Sequence, residues 1–346
     1  MPLTLRQGTV TAIASVLPEL VRCEVDGEPC LSFPRLTGPV ALGDAVIVNV
    51  QARALGLGSG GFDLLYANLS RGLGLGPPAG AHVMSLPYTP LQSAARTIEE
   101  HGIAAHSLDG LPVVCCGLHS QLAPVLAGAG TGVRAAYVQV AGGALPVSLS
   151  DAVRSLKARG RLEVAVAVAP CLDGDEQAVT LASALLWARS QAYDCVVCAI
   201  GPGIVGTGTP FGHGGLAVAG AVNTTTALGG QAVVAPRISH GDGRERHRGL
   251  SHHTRAALSL ALVEPIVAWP RGLAPEGGIA GAREVDVDGW REACDGLVLD
   301  HMGRGPGEDP WFFAAAFAAG RLARDLCRPA DRVGSDRRRA RPPARS

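Results

Sequence analysis

Lysine is almost missing from this sequence. Lys157 is the only lysine, so arginine supplies every other basic side chain. Mechanisms that need a Schiff-base or phosphate-binding lysine elsewhere in the chain are therefore excluded. Aromatic residues make up only 4% of the chain and charged residues 17%, and the formal net charge is zero. Because the chain has no global field of either sign, we expect neither a membrane nor a nucleic-acid partner.

Long apolar segments are missing as well. No apolar run approaches the ~20 residues that a membrane helix needs. The opening residues, MPLTLRQGTV, contain no apolar signal core. We therefore expect a cytoplasmic protein in a reducing compartment.

The nine cysteines do not suggest a disulfide framework. Cys115, Cys195 and Cys198 lie in apolar, strand-like runs, where free cysteine behaves as a small hydrophobic residue. Cys195 and Cys198 have CxxC spacing, but positions three apart in a strand face opposite sides of a sheet. These two thiols are therefore not expected to share a metal.

Small apolar residues and glycine dominate the composition of the chain. Of 346 residues, 47% are hydrophobic and 46 are glycine, which is typical of a soluble α/β protein with a large core. We predict a small N-terminal antiparallel β-barrel-like domain followed by a three-layer α/β domain with a mainly parallel sheet. The predicted divisions are a β-domain at 1–69, a linker with a connecting strand or helix at 70–110, an α/β ligand-binding domain at 111–327 and a disordered tail rich in Arg and Pro at 328–346.

The flanking segments have simpler signatures. Near the N-terminus, GTVTAI, LVRCEVDG and GPVALGDAVIVNVQ show the alternation of a small antiparallel barrel or sandwich. The linker leads into a predicted helix at 93–100. Near the C-terminus, an apolar helix is predicted from about Trp311, with Asp309 as its N-cap.

From residue 111 onwards, continuous apolar runs alternate with helical segments. The predicted strands are 113–116, 135–140, 164–168, 195–200 and 232–235, which indicates a parallel sheet covered on both faces. Right-handed crossovers place every strand-to-helix junction at one edge of such a sheet. We therefore expect one shared rim for the polar residues that follow the strands: His119, Gly142, Gly143, Asp173, Asp175, Glu176, Thr207, Thr209, His213 and the segment 237–253.

The stretch from Cys195 to His253 is the richest in chemistry. Five of the ten histidines lie between His213 and His253, mixed with arginines, serines and Asp242. An α/β protein usually keeps its site in polar segments that directly follow buried strands. We therefore place the candidate site here.

One motif in this stretch resembles a nucleotide-binding loop. The run from Gly201 to Gly206 matches GxGxxG and follows a strand. A nicotinamide cofactor is disfavoured because Pro210 and further glycines follow where a helix should begin, and because no acidic residue between Gly201 and Gly241 could hold a ribose hydroxyl. A Walker-type loop is excluded by the missing lysine, so the cofactor stays unknown.

Two alternatives remain for the same glycines. The backbone N–H groups from Gly203 to Thr209 could hold an anion at a helix N-terminus, with Arg244 and Arg246 as a charged clamp. Alternatively, the glycines form a structural turn beside a solvated charged loop. The residues alone do not decide between them.

The histidines raise a metal hypothesis. Suitable ligand types are His213, His240, Asp242, His247, His252 and His253. We expect the adjacent His252 and His253 to point in different directions from a helix start capped by Ser251, so that at most one reaches a shared centre. We therefore assign no metal ligand and favour neutral histidines, kept so by nearby positive charge, as a general acid or base.

The chain resembles a known family at several motifs. GPGIVGTGT, RIS…R…RHRGLSHH, GGALP and MGRGPGEDPWFF are similar to the bacterial family catalogued as domain of unknown function 3866. The resemblance runs from the N-terminal barrel to about Leu326. It implies no activity, cofactor or catalytic residue, so the site assignment rests on the residues themselves.

We interpret the chain as an enzyme acting on a small anionic metabolite, phosphorylated metabolites included, at the carboxyl rim of the sheet. The alternatives are a non-catalytic small-molecule sensor or binding module, and a nucleotide-cofactor or metal-dependent enzyme; no oligomeric state is predicted. The predicted catalytic residues are His213, His247 and His252. The predicted ligand-binding residues are Gly143, Gly203, Gly206, Thr207, Gly208, Thr209, Arg237, Ser239, Asp242, Arg244 and Arg246.

Overall fold

The computed structural model describes residues 3–56, 60–274 and 278–327. The tail at 328–346, for which the sequence predicts disorder, lies outside these residues. Among the helices of the described ranges, none has both the length and the apolar character needed to cross a bilayer.

Alternating apolar and polar residues close the first strands into a barrel, in the order β1-β2-β3-β5-β4. Its interior is filled by a cluster of small apolar side chains that includes Val10, Val25 and Val46. The predicted barrel-like domain is therefore confirmed. Its elements are β1 (Leu5–Leu17), β2 (Leu20–Val25), β3 (Glu28–Ser32), α1 (Pro34–Thr37), β4 (Ala45–Asn49), α2 (Gln51–Ala54) and β5 (Asp63–Asn68).

A short hairpin follows the barrel, formed by β6 (Val83–Ser85) and β7 (Ser93–Ala95). The helix predicted at 93–100 is wrong. Its first residues pair as β7, and the rest begin a 3₁₀ turn, Ile98–His101, in which the Glu100 carboxylate accepts the N–H of Thr97 at 3.1 Å. The predicted domain divisions at residues 69 and 110 stay predictions.

The large sheet has eight strands in the order β11-β10-β9-β12-β8-β13-β16-β17, and each neighbouring pair is parallel. Its continuous apolar strands are buried on both faces, as parallel strands require. This confirms the predicted parallel α/β domain. The strands are β8 (Pro112–Cys116), β9 (Ala135–Val140), β10 (Val164–Val168), β11 (Glu176–Ala178), β12 (Cys195–Ile200), β13 (Gln231–Ala235), β16 (Ile266–Pro270) and β17 (Ala282–Val285). A separate antiparallel pair, β14 (Ile238–Ser239) and β15 (Gly249–Leu250), encloses the loop 240–248.

Helices cover both faces of this sheet. They are α3 (Leu122–Ala129), α4 (Asp151–Ala158), α5 (Leu181–Ser190), α6 (Ala217–Ala227), α7 (His252–Ser259), α8 (Trp290–Ala293) and α9 (Pro310–Leu326). Residues of α3, α4 and α9 bury against one face, and residues of α5, α6 and α7 bury against the other. Cys195 and Cys198 belong to these two separate cores, as their strand spacing predicts.

The connectivity creates a crevice at the middle of the sheet. After β8 the chain moves towards β9, whereas after β12 it crosses to β13 on the other side of β8. The following helices, α3 and α6, therefore lie on opposite faces. In open α/β sheets, ligands bind at the carboxyl ends of strands where the order reverses in this way.

Candidate functional site

Four of the five predicted junctions meet at the carboxyl edge. His119 follows β8, and its Nε2 lies 2.6 Å from the Oγ of Ser150, which begins α4. The loop after β9 contacts the loop after β12, because Val205 N–H donates to the carbonyl of Gly142 at 3.0 Å. His213 and the residues from 237 to 253 join the same rim through ring contacts.

Asp175 is the exception, and its predicted position is wrong. Its N–H donates to the carbonyl of Ala165, and its carboxylate accepts from the Ala165 N–H, at the beginning of β10. The sequence predicts that Asp173, Asp175 and Glu176 lie between the strand 164–168 and a helix, but the parallel edge strand β11 starts at Glu176. Because β11 runs parallel to β10, the chain must return to the amino edge first, and it carries Asp175 there.

The rim glycines are required by backbone packing. A Cβ on Gly143 would lie 2.2 Å from the carbonyl oxygen of Gly201, and one on Gly214 would lie 1.8 Å from that of Gly142. Only glycine allows the loops after β9 and β12 to approach so closely. Gly143 therefore has a structural reason for its identity that needs no ligand.

The segment 203–213 is a hairpin-like loop. The N–H of Thr207 donates to Gly212 O at 2.7 Å, and the hydroxyls of Thr207 and Thr209 lie 2.8 Å apart. Gly206 pairs with His213 in an isolated bridge, and a Cβ on Gly206 would meet the His213 Cβ at 2.5 Å. The expected helix N-terminus is not at Gly203–Thr209, because α6 begins at Ala217 and several N–H groups of the loop already bond within it.

Asp242 is the centre of a buried charge network. It is 2% exposed and accepts from Arg237 Nη2 at 2.9 Å, Arg244 Nη2 at 2.8 Å and Arg304 Nη2 at 3.2 Å. Although burial raises the pKa of Asp242, the hydrogen bonds and charge of Arg244 and the charge of Arg237 outweigh it and hold the pKa well below its usual range. The sequence predicts that Arg237, Asp242 and Arg244 bind a ligand. In the structure their charged groups are already paired with one another.

A second carboxylate, Asp309, fixes the start of the same loop. It is fully buried and accepts hydrogen bonds from the Ser239 hydroxyl and from the N–H of His240 at 3.1 Å. Asp309 occupies the N-cap position of α9 as predicted, but its side chain makes no cap bond there. Ser239 therefore helps to anchor the loop, since its Oγ also accepts the N–H of Asp242 at 3.1 Å.

Four histidine rings stack into one cluster, which we call the histidine cluster: His213, His247, His252 and His253. Ring centroids are 3.4 Å apart for His213 and His253, and 4.3 Å apart for His252 and His253. The His247 ring meets both members of the adjacent pair edge-on, at 4.9 Å and 4.7 Å. The expectation that His252 and His253 diverge is wrong. Side chains at a helix start point back past its N-terminus, so both rings reach over the turn that carries His247.

Each ring of the histidine cluster is held neutral near pH 7. Burial and the charges of Arg237 and Arg244 lower the pKa of His247 to about 3. Burial, with the neighbouring histidines, lowers the pKa of His253 to about 2. Burial likewise lowers the pKa of His213 and His252 below its ordinary value. A neutral imidazole has one nitrogen with a free lone pair.

Several of these nitrogens have no hydrogen-bond partner in the described structure: Nδ1 of His213, Nε2 of His252 and both ring nitrogens of His253. The Nε2 of His213 lies 3.0 Å from the carbonyl of Pro210, which can only accept, so this nitrogen carries the proton and Nδ1 the lone pair. Buried polar atoms without partners are rare in folded proteins and indicate a missing water, ion or ligand.

Two features surround the histidine cluster. On its inner side, a cavity of about 20 Å³ is lined by residues including Gly117, Arg237 and His253, which is room for about one water molecule. On the outer side, the exposed Arg246 lies beside the glycine loop, its guanidinium carbon 3.6 Å from where a Cβ of Gly208 would be. Arg246 makes no ion pair with the residues that the structure describes.

The sequence analysis missed other contributors to this site. Arg304 joins the Asp242 network, and His301 stacks on Phe312 with its Nε2 unpartnered. His253 is considered there only as a metal ligand, yet it contacts the other three rings of the histidine cluster. The polar motif MGRGPGEDP, which contains Arg304 and Asp309, is the sequence feature that could have indicated that this segment contributes to the site.

Comparison with known proteins adds the family but no activity. The sequence matches no curated protein. A family profile described as protein of unknown function (DUF3866) matches residues 30–320, which include the last two strands of the barrel (β4 and β5), the whole large sheet and the histidine cluster. The chain therefore belongs to this family of proteins of unknown function.

Proposed function

We propose that the protein is an enzyme that acts on a small anionic metabolite at the histidine cluster. The observation that carries this proposal is the cluster itself: four neutral imidazoles, three of them with a ring nitrogen that has no partner, grouped at the carboxyl rim where the strand order reverses. Neutral imidazoles with free nitrogens are suited to accept and return protons. Perturbed histidines in a crevice are a functional-site signature and favour an enzyme over a passive binding module.

The arginines favour an anionic substrate. Asp242 is shared by three guanidinium groups, and Asp309 lies 3.5 Å from one of them, so positive charge remains in excess. Arg246 adds an exposed charge beside Gly208 and the hydroxyls of Thr207 and Thr209. We assign first contact with the anion to Arg246, because Arg237 and Arg244 are already paired with Asp242.

Among the predicted catalytic residues, His252 is the best placed for proton transfer. His252 is partly exposed and its Nε2 has no partner. His213 and His247 are buried, and each already has one ring nitrogen against a polar group, Pro210 O at 3.0 Å and Ser251 Oγ at 2.8 Å. His213 and His247 would then orient the other rings. This assignment revises the sequence prediction, which treats the three histidines as equivalent.

The test combines binding with turnover. Phosphorylated and carboxylated metabolites are incubated with the protein, their consumption is followed by mass spectrometry, and thermal stabilisation is measured in parallel. We expect at least one anion to be consumed, with loss in His252→Ala and weakened stabilisation in Arg246→Ala. The control Arg283→Ala removes an exposed arginine of the edge strand β17 and should change neither. Stabilisation without consumption would support the sensor alternative, and neither effect would refute the proposal.

A further inference from the structure

We propose that His247, His252 and His253 form a binding site for Zn²⁺ or a chemically similar late first-row divalent cation. One ring nitrogen of each residue lies within 4.8 Å of the other two. Four-coordinate zinc at ~2.0–2.1 Å from each nitrogen would need separations of about 3.4 Å. Closing the set would bring the nitrogens together by up to about 1.4 Å and would turn the stacked rings of His252 and His253 so that their lone pairs converge on one point.

The lone pairs are available for this purpose. Nδ1 of His247 lies 2.8 Å from the Oγ of Ser251, so a proton on Nδ1 leaves the Nε2 lone pair free. His252 Nε2 and both nitrogens of His253 have no partner in the described structure. A metal that takes the Nε2 lone pair of His252 would leave proton transfer to Nδ1 of His213, which lies outside the three-residue set and also has no partner. Metal-bound histidines usually donate their other N–H to a fixed polar group, and Ser251 provides that group for His247.

The donor set selects the type of metal. It contains three imidazoles and no carboxylate or thiolate. Imidazole suits zinc, copper, nickel and related ions, whereas Mg²⁺ and Ca²⁺ need oxygen ligands. Three protein ligands leave one tetrahedral position open, which is the arrangement of catalytic rather than structural zinc sites.

The positive charge of the nearby arginines opposes cation binding at this site. Arg237 and Arg244 lie close enough to lower the pKa values of His247 and His252, so their positive field also opposes a bound cation. An anion in the open position would offset this repulsion by contacting the metal and the arginines together. Only this part of the inference rests on the proposed function. It predicts that inorganic phosphate strengthens metal binding.

The full-length chain, stripped with a chelator, is titrated with Zn²⁺ and with Co²⁺, and bound metal is measured by elemental analysis. We expect one equivalent of Zn²⁺ and a Co²⁺ absorption spectrum typical of tetrahedral nitrogen coordination. His252→Ala and His253→Ala should each weaken binding by roughly tenfold or more, since even the loss of an outer-shell partner costs 10–100-fold. His240→Ala is the matched control, because this exposed histidine of the same loop lies outside the three-residue set.

Each outcome decides the question. A folded wild-type protein that retains no stoichiometric Zn²⁺ or Co²⁺ would overturn the proposal, as would equal affinity in His240→Ala and His252→Ala. Circular dichroism separates loss of ligands from loss of fold. Stoichiometric metal binding without anion turnover would support the metal site and refute only the proposed enzyme. Anion turnover without bound metal would support the proposed enzyme and refute the metal site.

Discussion

Arg237 and Asp242 form an ion pair that is almost fully buried, with Nη2 and Oδ2 2.9 Å apart and side-chain exposures of 5% and 2%. The pair joins the end of β13 to the loop between β14 and β15. The backbone N–H of Arg237 donates to Thr254 Oγ1 of α7 at 3.0 Å, which ties the same residue to the helix that carries His252 and His253. The buried Arg237–Asp242 pair therefore helps to position the histidine cluster without itself contacting a substrate.

Removing this carboxylate should be strongly destabilising. Asp242→Ala leaves Arg237 buried without its counter-charge, which costs about 3–5 kcal/mol of unfolding free energy. The exposed pair of Arg134 and Glu163, with Nη2 and Oε2 2.8 Å apart, gives the contrast. Glu163→Ala should cost less than about 1 kcal/mol because solvent screens that pair. Urea denaturation of both variants measures the difference, and equal losses would contradict the buried-network interpretation.

The close contact between the loops at Gly142 and Gly214 leads to a second prediction. Gly214→Ala places a Cβ at 1.8 Å from the carbonyl oxygen of Gly142, and a backbone atom cannot move aside cheaply. We expect a loss of about 3 kcal/mol or more, as in other overpacked interiors. The neighbouring residue, His213, should shift with the loop and weaken the histidine cluster.

Gly220→Ala is the matched control for this prediction. Gly220 lies inside α6, and nothing lies within 4 Å of the position of its Cβ. Alanine there should be neutral or stabilise by about 0.5–1 kcal/mol, because it lowers the entropy of the unfolded chain and favours helix. If both variants behave alike in thermal unfolding, the loop contact is not what requires glycine at 214.

The large sheet was predictable because its signal is local. The strands predicted at 113–116, 135–140 and 195–200 correspond to β8, β9 and β12, since short apolar runs that are rich in valine and bounded by turn residues are typical of buried strands. The rim followed from the handedness of crossovers. The edge strand β11 has only three residues, which is too short for a hydrophobic pattern to reveal it in the sequence. Because β11 was not predicted, Asp175 was placed at the wrong edge of the sheet.

The details of the site were less predictable because they depend on distant segments. No local pattern pairs Asp242 with Arg304, and the two lie in loops that only the folded sheet brings together. The prediction that the His252 and His253 side chains diverge was wrong for a different reason. The prediction placed them at a helix start and considered only that adjacent side chains differ in direction around the helix axis. Side chains at the first helical positions also extend back beyond the helix end, where the two rings meet.

Asp173 should make stability depend on pH. Burial raises the pKa of Asp173 to about 6, against the lowering effects of the Ser148 hydrogen bond and the charge of Arg35. A raised folded-state pKa means that its stabilising contribution is complete below the ordinary value of 3.8 and is lost as pH rises through about 6. Above that pH the folded protein carries a poorly solvated charge.

Asp173→Asn should therefore raise the melting temperature at pH 7.5, by the equivalent of about 2–3 kcal/mol, and have little effect near pH 4. Asparagine suits the position, because Asp173 has a φ of 62° and Asn tolerates the left-handed region. The control is Asp175→Asn, whose carboxylate pairs with Lys157 and should not stabilise when neutralised. A pH-independent effect of Asp173→Asn would show that the charge is not responsible.

Ser251 has two roles, and the last prediction separates them. Its buried Oγ accepts the N–H of His253 as the N-cap of α7 and lies 2.8 Å from Nδ1 of His247. Ser251→Ala should cost about 1 kcal/mol through the cap and also free the His247 ring. Thr180→Ala removes a comparable cap from α5, where no histidine is attached, and should cost stability alone. If His247 is oriented for metal binding, Zn²⁺ affinity should fall roughly 10–100-fold in Ser251→Ala and stay unchanged in Thr180→Ala. Parallel urea and zinc titrations measure both effects, and an unchanged zinc affinity in folded Ser251→Ala would show that the serine serves the helix only.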